Sequence, residues 1–305
     1  MDMVDTGNDV SPWLRPTLRP GVRGNRAEGT ETFERAGQVV RTDRSLNEIV
    51  QRRPPGVTAH QWNCASRTRF DFVVCDARTH APVFAVEFDD PCRHTVETPR
   101  NRRMKTAVWE AVGIEVLCIE SPTLRPATHG RWIVEYVIDA RAYGAGASDG
   151  DEAVDAFSPA PLSYRDIIGR LPDGRTGFVN DLGAVARAAA IDAYVSRQLA
   201  DPIVRGLHVT WQSGPAEGWA WLAAREKNYL FERTRIWQHR FSCGVDPARL
   251  AEDLATAAIG ERLKRLATDE PTLYDRHHLG RELDELRRRG AEIDGGFTFD
   301  HVSFD

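Results

Sequence analysis

The sequence predicts an α/β fold, a mixed sheet covered by helices, followed by a second, mostly helical domain. Three observations carry that expectation. Two apolar runs flank a turn in "FDFVVCDARTHAPVFAVEFDD", Phe70 to Asp90, and are followed by a helical stripe and then by the apolar run "IEVLCIE". A small, flexible, acidic stretch, "AYGAGASDGDEA", interrupts the chain near its middle. Beyond it, three long segments carry helix start and stop signals.

Residues 1–26, polar and rich in Pro, Gly and Arg, read as a flexible N-terminal arm without the apolar core of a signal peptide. "ETFERAGQVV" and "SLNEIVQRR" read as short helical pieces, the second stopped by Pro54, Pro55 and Gly56. In the hairpin, Asp71, Val73 and Cys75 alternate with Phe70, Phe72 and Val74; in its second strand Val83, Ala85 and Glu87 alternate with Phe84, Val86 and Phe88. From Thr98 the period becomes helical: Thr98 as N-cap, Pro99 in the first turn, a stripe at Met104, Val108 and Val112, and Gly113 as the stop. The α/β domain is thus expected over 27–142, a linker over 143–158, and helices over 159–305, beginning at Asp181, at Asp246 with Pro247, and in "HHLGRELDELRRRG".

Composition narrows the functional classes. With 305 residues, 41% of them hydrophobic, the chain can build two cores, and no run of apolar residues is long enough to span a membrane. The net charge of −5 does not by itself mark a nucleic-acid binder, which depends on where the cations cluster. Five cysteines without a CxxC pair predict reduced thiols in a cytoplasm; a zinc site from Cys75, Cys92 and His94, or a Cys92 nucleophile with His94 as base, lacks the spacing or oxyanion hole such sites use.

The acids inside the apolar hairpin are the informative feature. If the hairpin closes around Thr79, paired positions sum to 158, so Cys75 faces Val83, Val73 faces Ala85 and Asp71 faces Glu87. Two carboxylates about 5 Å apart at Cβ repel unless a cation lies between them. Asp89 projects from the same face, so three acids are expected to converge on a hard divalent ion, Mg²⁺ or Mn²⁺. Next to them "PCRHTVETPRNRRMKTAVW" supplies Arg93, His94, Arg100, Arg102, Arg103 and Lys105 against the single acid Glu97. Acids for a metal beside cations for phosphate are the parts that phosphodiester hydrolysis needs.

The segment Phe70–Ile119, through "DFVVCD", "AVEFDDPCRH" and "RNRRMKTAVWEAVGIEVLCI", resembles a bacterial family known as domain of unknown function 2726, which is restriction-endonuclease-like, and more distantly the very-short-patch-repair endonucleases. The resemblance implies a PD-(D/E)xK nuclease fold with Asp71 as first acid, Glu87 as second, and Asp89 where Lys is usual. It implies a metal-dependent DNA endonuclease of repair or defence, with RNA also open as substrate. In it Asp71, Glu87 and Asp89 hold Mg²⁺, His94 serves as general acid or base, and Lys105 or Arg93, Arg100, Arg102 and Arg103 hold phosphate. The fold often adds a helix-borne Glu, for which Glu31, Glu34 and Glu48 are all candidates.

A different class stays open. Arg102 stands where the family usually has Asp and Cys118 where it usually has Arg, which fits a nuclease-fold protein that binds nucleic acid or a protein partner without cutting. In the second half, Trp211, Trp219, Trp221, Tyr229, Phe231 and Trp237 interleave with arginines; such rings either stack bases or fill a core.

Overall fold

The pairing of the Phe70–Asp90 hairpin settles which side chains share a face, and it is the frame on which the first half of the chain is built. The computed structural model describes residues 11–18, 32–89, 99–148, 164–171, 174, 176–266 and 272–299. They form an α/β structure that divides into two compact units, one of Met1–Glu87, His94–Leu117 and Gln238–Phe241, the other of Phe88–Arg93, Cys118–Trp237 and Ser242–Asp305.

The first unit carries β1 (Phe33–Arg35), β2 (Gln38–Ser45), α1 (Leu46–Ile49), α2 (Ala59–Ala65), β3 (Arg69–Asp76), β4 (Pro82–Asp89) as far as Glu87, α3 (Pro99–Val112) and the start of β5 (Glu115–Glu120). The strands lie in the order β1-β2-β3-β4-β5. β1 through β4 are successively antiparallel. The Ser121 N–H donates to the Asp89 carbonyl at 3.2 Å, so β4 and β5 end side by side. They therefore run parallel, which requires a crossover connection, and α3 supplies it. Phe70, Val74, Phe84 and Val86 are fully buried, each contributing about 1.5–3 kcal/mol of apolar burial for its full side chain.

The "ETFERAGQVV" segment is a hairpin, not the helical piece its composition suggests. Ala36 and Gly37 both take positive φ, 45° and 72°, the geometry of a two-residue turn whose twist matches paired strands. Pairing with β3 then outweighs helix propensity, because β2 buries Val39 and Val40 against its neighbour. Conversely "VTAHQWNCA" holds a helix, α2, started by a capping box in which the Thr58 hydroxyl accepts the Gln61 N–H and the Gln61 side chain accepts the Thr58 N–H. Residues 11–18, within the stretch expected to be an arm, are tied down: the Arg15 N–H donates to the Ile49 carbonyl at 2.8 Å and Leu14 and Leu18 are buried.

The second unit takes in the end of β4 and the second half of β5 and holds α4 (Arg131–Ser148), β6 (Ile168–Arg170), β7 (Thr176–Phe178), α5 (Ala184–Val195), β8 (Arg205–Trp211), β9 (Ala216–Arg225), β10 (Asn228–His239) as far as Trp237, α6 (Pro247–Arg265), β11 (Tyr274–Asp275), α7 (Arg276–Arg288) and β12 (Ile293–Phe299). The expectation of a mostly helical second half is corrected here. The three predicted helices form, but between α5 and α6 run three long antiparallel strands, with β12 paired to β8. Alternation in "GWAWLAA" is the reason: Trp219 and Trp221 join Leu207, Phe231 and the α7 leucines, while Ala220, Leu222 and Ala224 join Ala255 and Ile259 of α6. The tryptophans thus fill a core in place of a base-stacking platform.

Small residues bring α6 down onto this sheet. A Cβ on Gly218 would stand 2.0 Å from the Glu252 backbone nitrogen. Under α6, Arg165 Nε donates to Asp253 Oδ2 at 2.7 Å while its Nη2 donates to Asp181 Oδ2 at 3.1 Å. Burial pushes the Asp253 carboxyl up to about 7, with the neighbouring Asp181 charge adding to the shift. No helix of the described residues is long and apolar enough to cross a membrane.

Candidate active site

The hairpin register follows the sum of 158 through Phe72↔Val86, Val73↔Ala85 and Val74↔Phe84. The pairing of the two strands ends at Phe72↔Val86, so the expected Asp71–Glu87 pair lies one step beyond the paired residues. Towards the turn the register slips: Cys75 pairs with Pro82, not Val83, because β4 carries one extra residue there. The turn itself is closed by Asp76, whose Oδ1 accepts the Arg78 and Thr79 N–H groups at 3.1 and 2.7 Å and the Thr79 hydroxyl at 2.8 Å. These bonds to the ionised form hold the Asp76 carboxyl below its ordinary range.

Residues directly opposed in a sheet share a face, as do residues two apart along a strand. Asp71, Val73 and Cys75 of β3, Ala85 and Glu87 of β4, and Arg41 of β2, which pairs with Val73, therefore project together. Asp89 follows two residues after Glu87 at the end of β4. Asp71, Glu87 and Asp89 are half-buried, unlike the apolar residues around them.

α3 brings a cation to this face. Lys105 Nζ donates to Glu87 Oε1 at 2.6 Å, and Lys105 is 7% exposed. Its ammonium also stands 5.3 Å from the Trp109 ring centroid, and that ring packs at 6.0 Å on Phe70. The Lys105–Trp109 stripe is buried, because four residues along a helix return to the same side and that side meets the hairpin. Arg100 and Arg103 are exposed and Arg102 half-buried in the first turns of α3, where the helix dipole adds to their positive field.

The sequence-predicted residues are therefore divided. Glu87 and Lys105 come together, and alternation along β3 assigns Asp71 to the face of Glu87; Arg93, His94 and Cys92 lie outside the described residues. Of the upstream acids, Glu31 also lies outside them, Glu34 is exposed on strand β1, and Glu48 is on helix α1 with Arg44 Nη1 3.2 Å from its Oε2. Among the described residues no group of three or more His, Cys, Asp or Glu side chains is gathered closely enough to hold a metal ion. Arg41, 3% exposed, went unremarked in the sequence; an arginine between apolar residues in "VVRT" is the signal that marks it.

Residues 45–131 match the model of a family described as "Protein of unknown function (DUF2726)". No curated protein and no solved structure matches the chain.

Proposed function

We propose, for a chain whose residues 45–131 match the model of that family of unknown function, a metal-dependent endonuclease hydrolysing phosphodiester bonds in DNA, with its site on the Asp71–Glu87 face of the hairpin. The observation that carries this reading is the contact of Lys105 with Glu87, on the sheet face to which alternation along β3 from Val73 assigns Asp71. Two acids and a lysine brought onto one sheet face are the elements of a restriction-endonuclease-like site, here with the lysine supplied by α3 in place of the strand position that Asp89 occupies. A parallel strand pair entered through a crossover helix agrees with that fold, and sites in such sheets lie at the carboxyl ends of the strands, where Glu87 and Asp89 stand.

The donors for a hard cation would be carboxylate oxygens. Mg²⁺, or Mn²⁺, is commonly bound through one or two carboxylates, with water and substrate phosphate completing its shell, and Asp71 and Glu87 would offer such oxygens. When bound, the metal would activate water and stabilise charge on the phosphate. The chain's own residues do the rest. Lys105 would face a non-bridging phosphate oxygen, and the proton of the attacking water would pass to a carboxylate of the hairpin face. Arg100, Arg102 and Arg103 track the backbone phosphates on either side.

Purified protein incubated with plasmid DNA, linear DNA and RNA in Mg²⁺, Mn²⁺ or EDTA tests this. Metal-dependent cutting of DNA is expected, with Asp71→Ala and Glu87→Ala lowering it at least about 100-fold. Cutting that survives in both variants overturns the assignment.

One observation favours a second reading. With no three-ligand group among the described residues and Lys105 already on Glu87, the lysine stands as the cation between the hairpin and α3. A protein that binds DNA without cleaving it would show intact binding, and no cutting under any metal.

A further inference from the structure

Residues 11–18 and 46–58 carry a charge opposite in sign to that of the whole chain, which is −5. Between them they hold Arg15, Arg52 and Arg53 against one acid, Glu48, and Arg44 already binds that acid at 3.2 Å. All three arginines are exposed, and among the described residues no carboxylate pairs with any of them.

The fold puts them on one surface. Leu14 bridges Val50, with the Arg15 N–H donating to the Ile49 carbonyl at 2.8 Å and the Gln51 N–H to the Trp13 carbonyl at 2.9 Å. Leu14 and Val50 are buried, so alternation along an extended segment turns Trp13 and Arg15 outward. The Arg52 guanidinium lies 5.3 Å from the Trp13 ring centroid, and Arg15 Nη2 donates to the Asn47 carbonyl at 3.4 Å. Arg53 follows directly, ahead of Pro54 and Pro55, whose fixed φ stiffens the chain there. An aromatic face and a carbonyl thus order two guanidinium groups without neutralising them.

This surface is separate from the arginines at the start of α3. The Ser11 hydroxyl donates to the Val112 carbonyl, so the 11–18 segment begins at the opposite end of that helix, about 18 Å from Arg100 along its axis.

We propose that Arg15, Arg52 and Arg53, with Trp13, form a second nucleic-acid contact that takes backbone phosphates of DNA. Each strand of a duplex carries a phosphate for about every 3.4 Å of axis, so separately held guanidinium groups on an open surface meet successive phosphates without an enclosed pocket. The planar fork of arginine matches phosphate oxygens, and such contacts fix position and add affinity without reading sequence. The inference rests on DNA as the partner, as proposed above, but does not require that the protein cut it.

The test is fluorescence anisotropy of a labelled duplex titrated with the full chain over a salt series in EDTA, where metal-dependent cutting plays no part. The triple variant Arg15→Ala, Arg52→Ala and Arg53→Ala should bind more weakly and lower the slope of log binding constant against log salt by about 2.7, at about 0.9 per phosphate contact. Arg53 has no hydrogen bond or ion pair among the described residues, so Arg53→Glu should keep the wild-type Tm, weaken binding more than Arg53→Ala, and carry the test if the triple variant does not fold. A wild-type slope in the triple variant, or in Arg53→Glu where the triple does not fold, overturns the proposal, as does a wild-type protein that binds no duplex. Polyglutamate bound as tightly as DNA, with both lost alike in the variant, also overturns it, since the surface then serves an acidic protein as well as it serves phosphates. A reduced slope in the variant together with no cutting by wild type in Mg²⁺ would sink the nuclease reading and leave this surface standing.

Discussion

Lys105 and Glu87, eighteen positions apart in sequence, meet at 2.6 Å across the space between α3 and β4, with side chains 9% and 19% exposed. The pair joins the crossover helix to the strand that bears the candidate acids. A charge-assisted bond this enclosed is both a structural tie and a poised cation.

Truncating one partner removes this bond from the other, which stays partly buried. Lys105→Met is expected to destabilise the protein by about 2–3 kcal/mol, below the cost for a fully buried pair because Glu87 keeps some solvent. Chemical denaturation measures it. The double variant Lys105→Met with Glu87→Gln should recover part of that loss; additive losses would mean that the pair contributes no coupling energy.

The exposed arginines at the start of α3 are predicted to act on DNA without acting on stability. Arg100→Ala and Arg103→Ala should each lower the slope of log binding constant against log salt by about 1 while leaving Tm within about 1 °C. Fluorescence anisotropy over a salt series checks it, and an unchanged slope removes these residues from the interface.

Close approach of α6 to the sheet predicts a strong asymmetry between two glycines. Gly218→Ala forces a methyl against the Glu252 backbone and should cost about 3 kcal/mol or more, or prevent folding. Gly280 in α7 has open space where its Cβ would go, so Gly280→Ala should be neutral or stabilise by up to about 1 kcal/mol. Urea midpoints of the two variants decide it.

Asp253 gives a pH dependence of definite sign. Its carboxyl is raised to about 7 in the folded chain from an ordinary value of 3.8, so between those values the native state binds more protons than the unfolded state. Stability from this group is therefore present at low pH and lost as pH rises towards 7, with a slope of up to about 1.4 kcal/mol per pH unit. Asp253→Asn should remove that part of the slope. The wild-type-minus-variant difference, followed by denaturation from pH 4 to 8, will be flat if Asp253 is ionised throughout.

What the residues determined by themselves was local. The hairpin register over Phe72–Val74 follows from alternation and a turn at Thr79; α3, α6 and α7 follow from proline, aspartate and glycine at their ends; the acids in an apolar run marked the candidate face. These signals lie within a few residues of the structure they specify. Where distant segments meet was decided only in the folded chain. β1 and β2 became strands because β3 offered an edge to pair with, and β8 and β9 carry small residues on one face because α6 must come within contact of them. Lys105 was legible as a cation beside acids, but not as the partner of Glu87. Arg41 was not legible as a buried residue, since its burial depends on β2 lying against β3. Hydrogen-bonding and apolar patterns set local conformation, whereas the environment of a charge is set by every element that packs around it, and that exists only once the chain has folded.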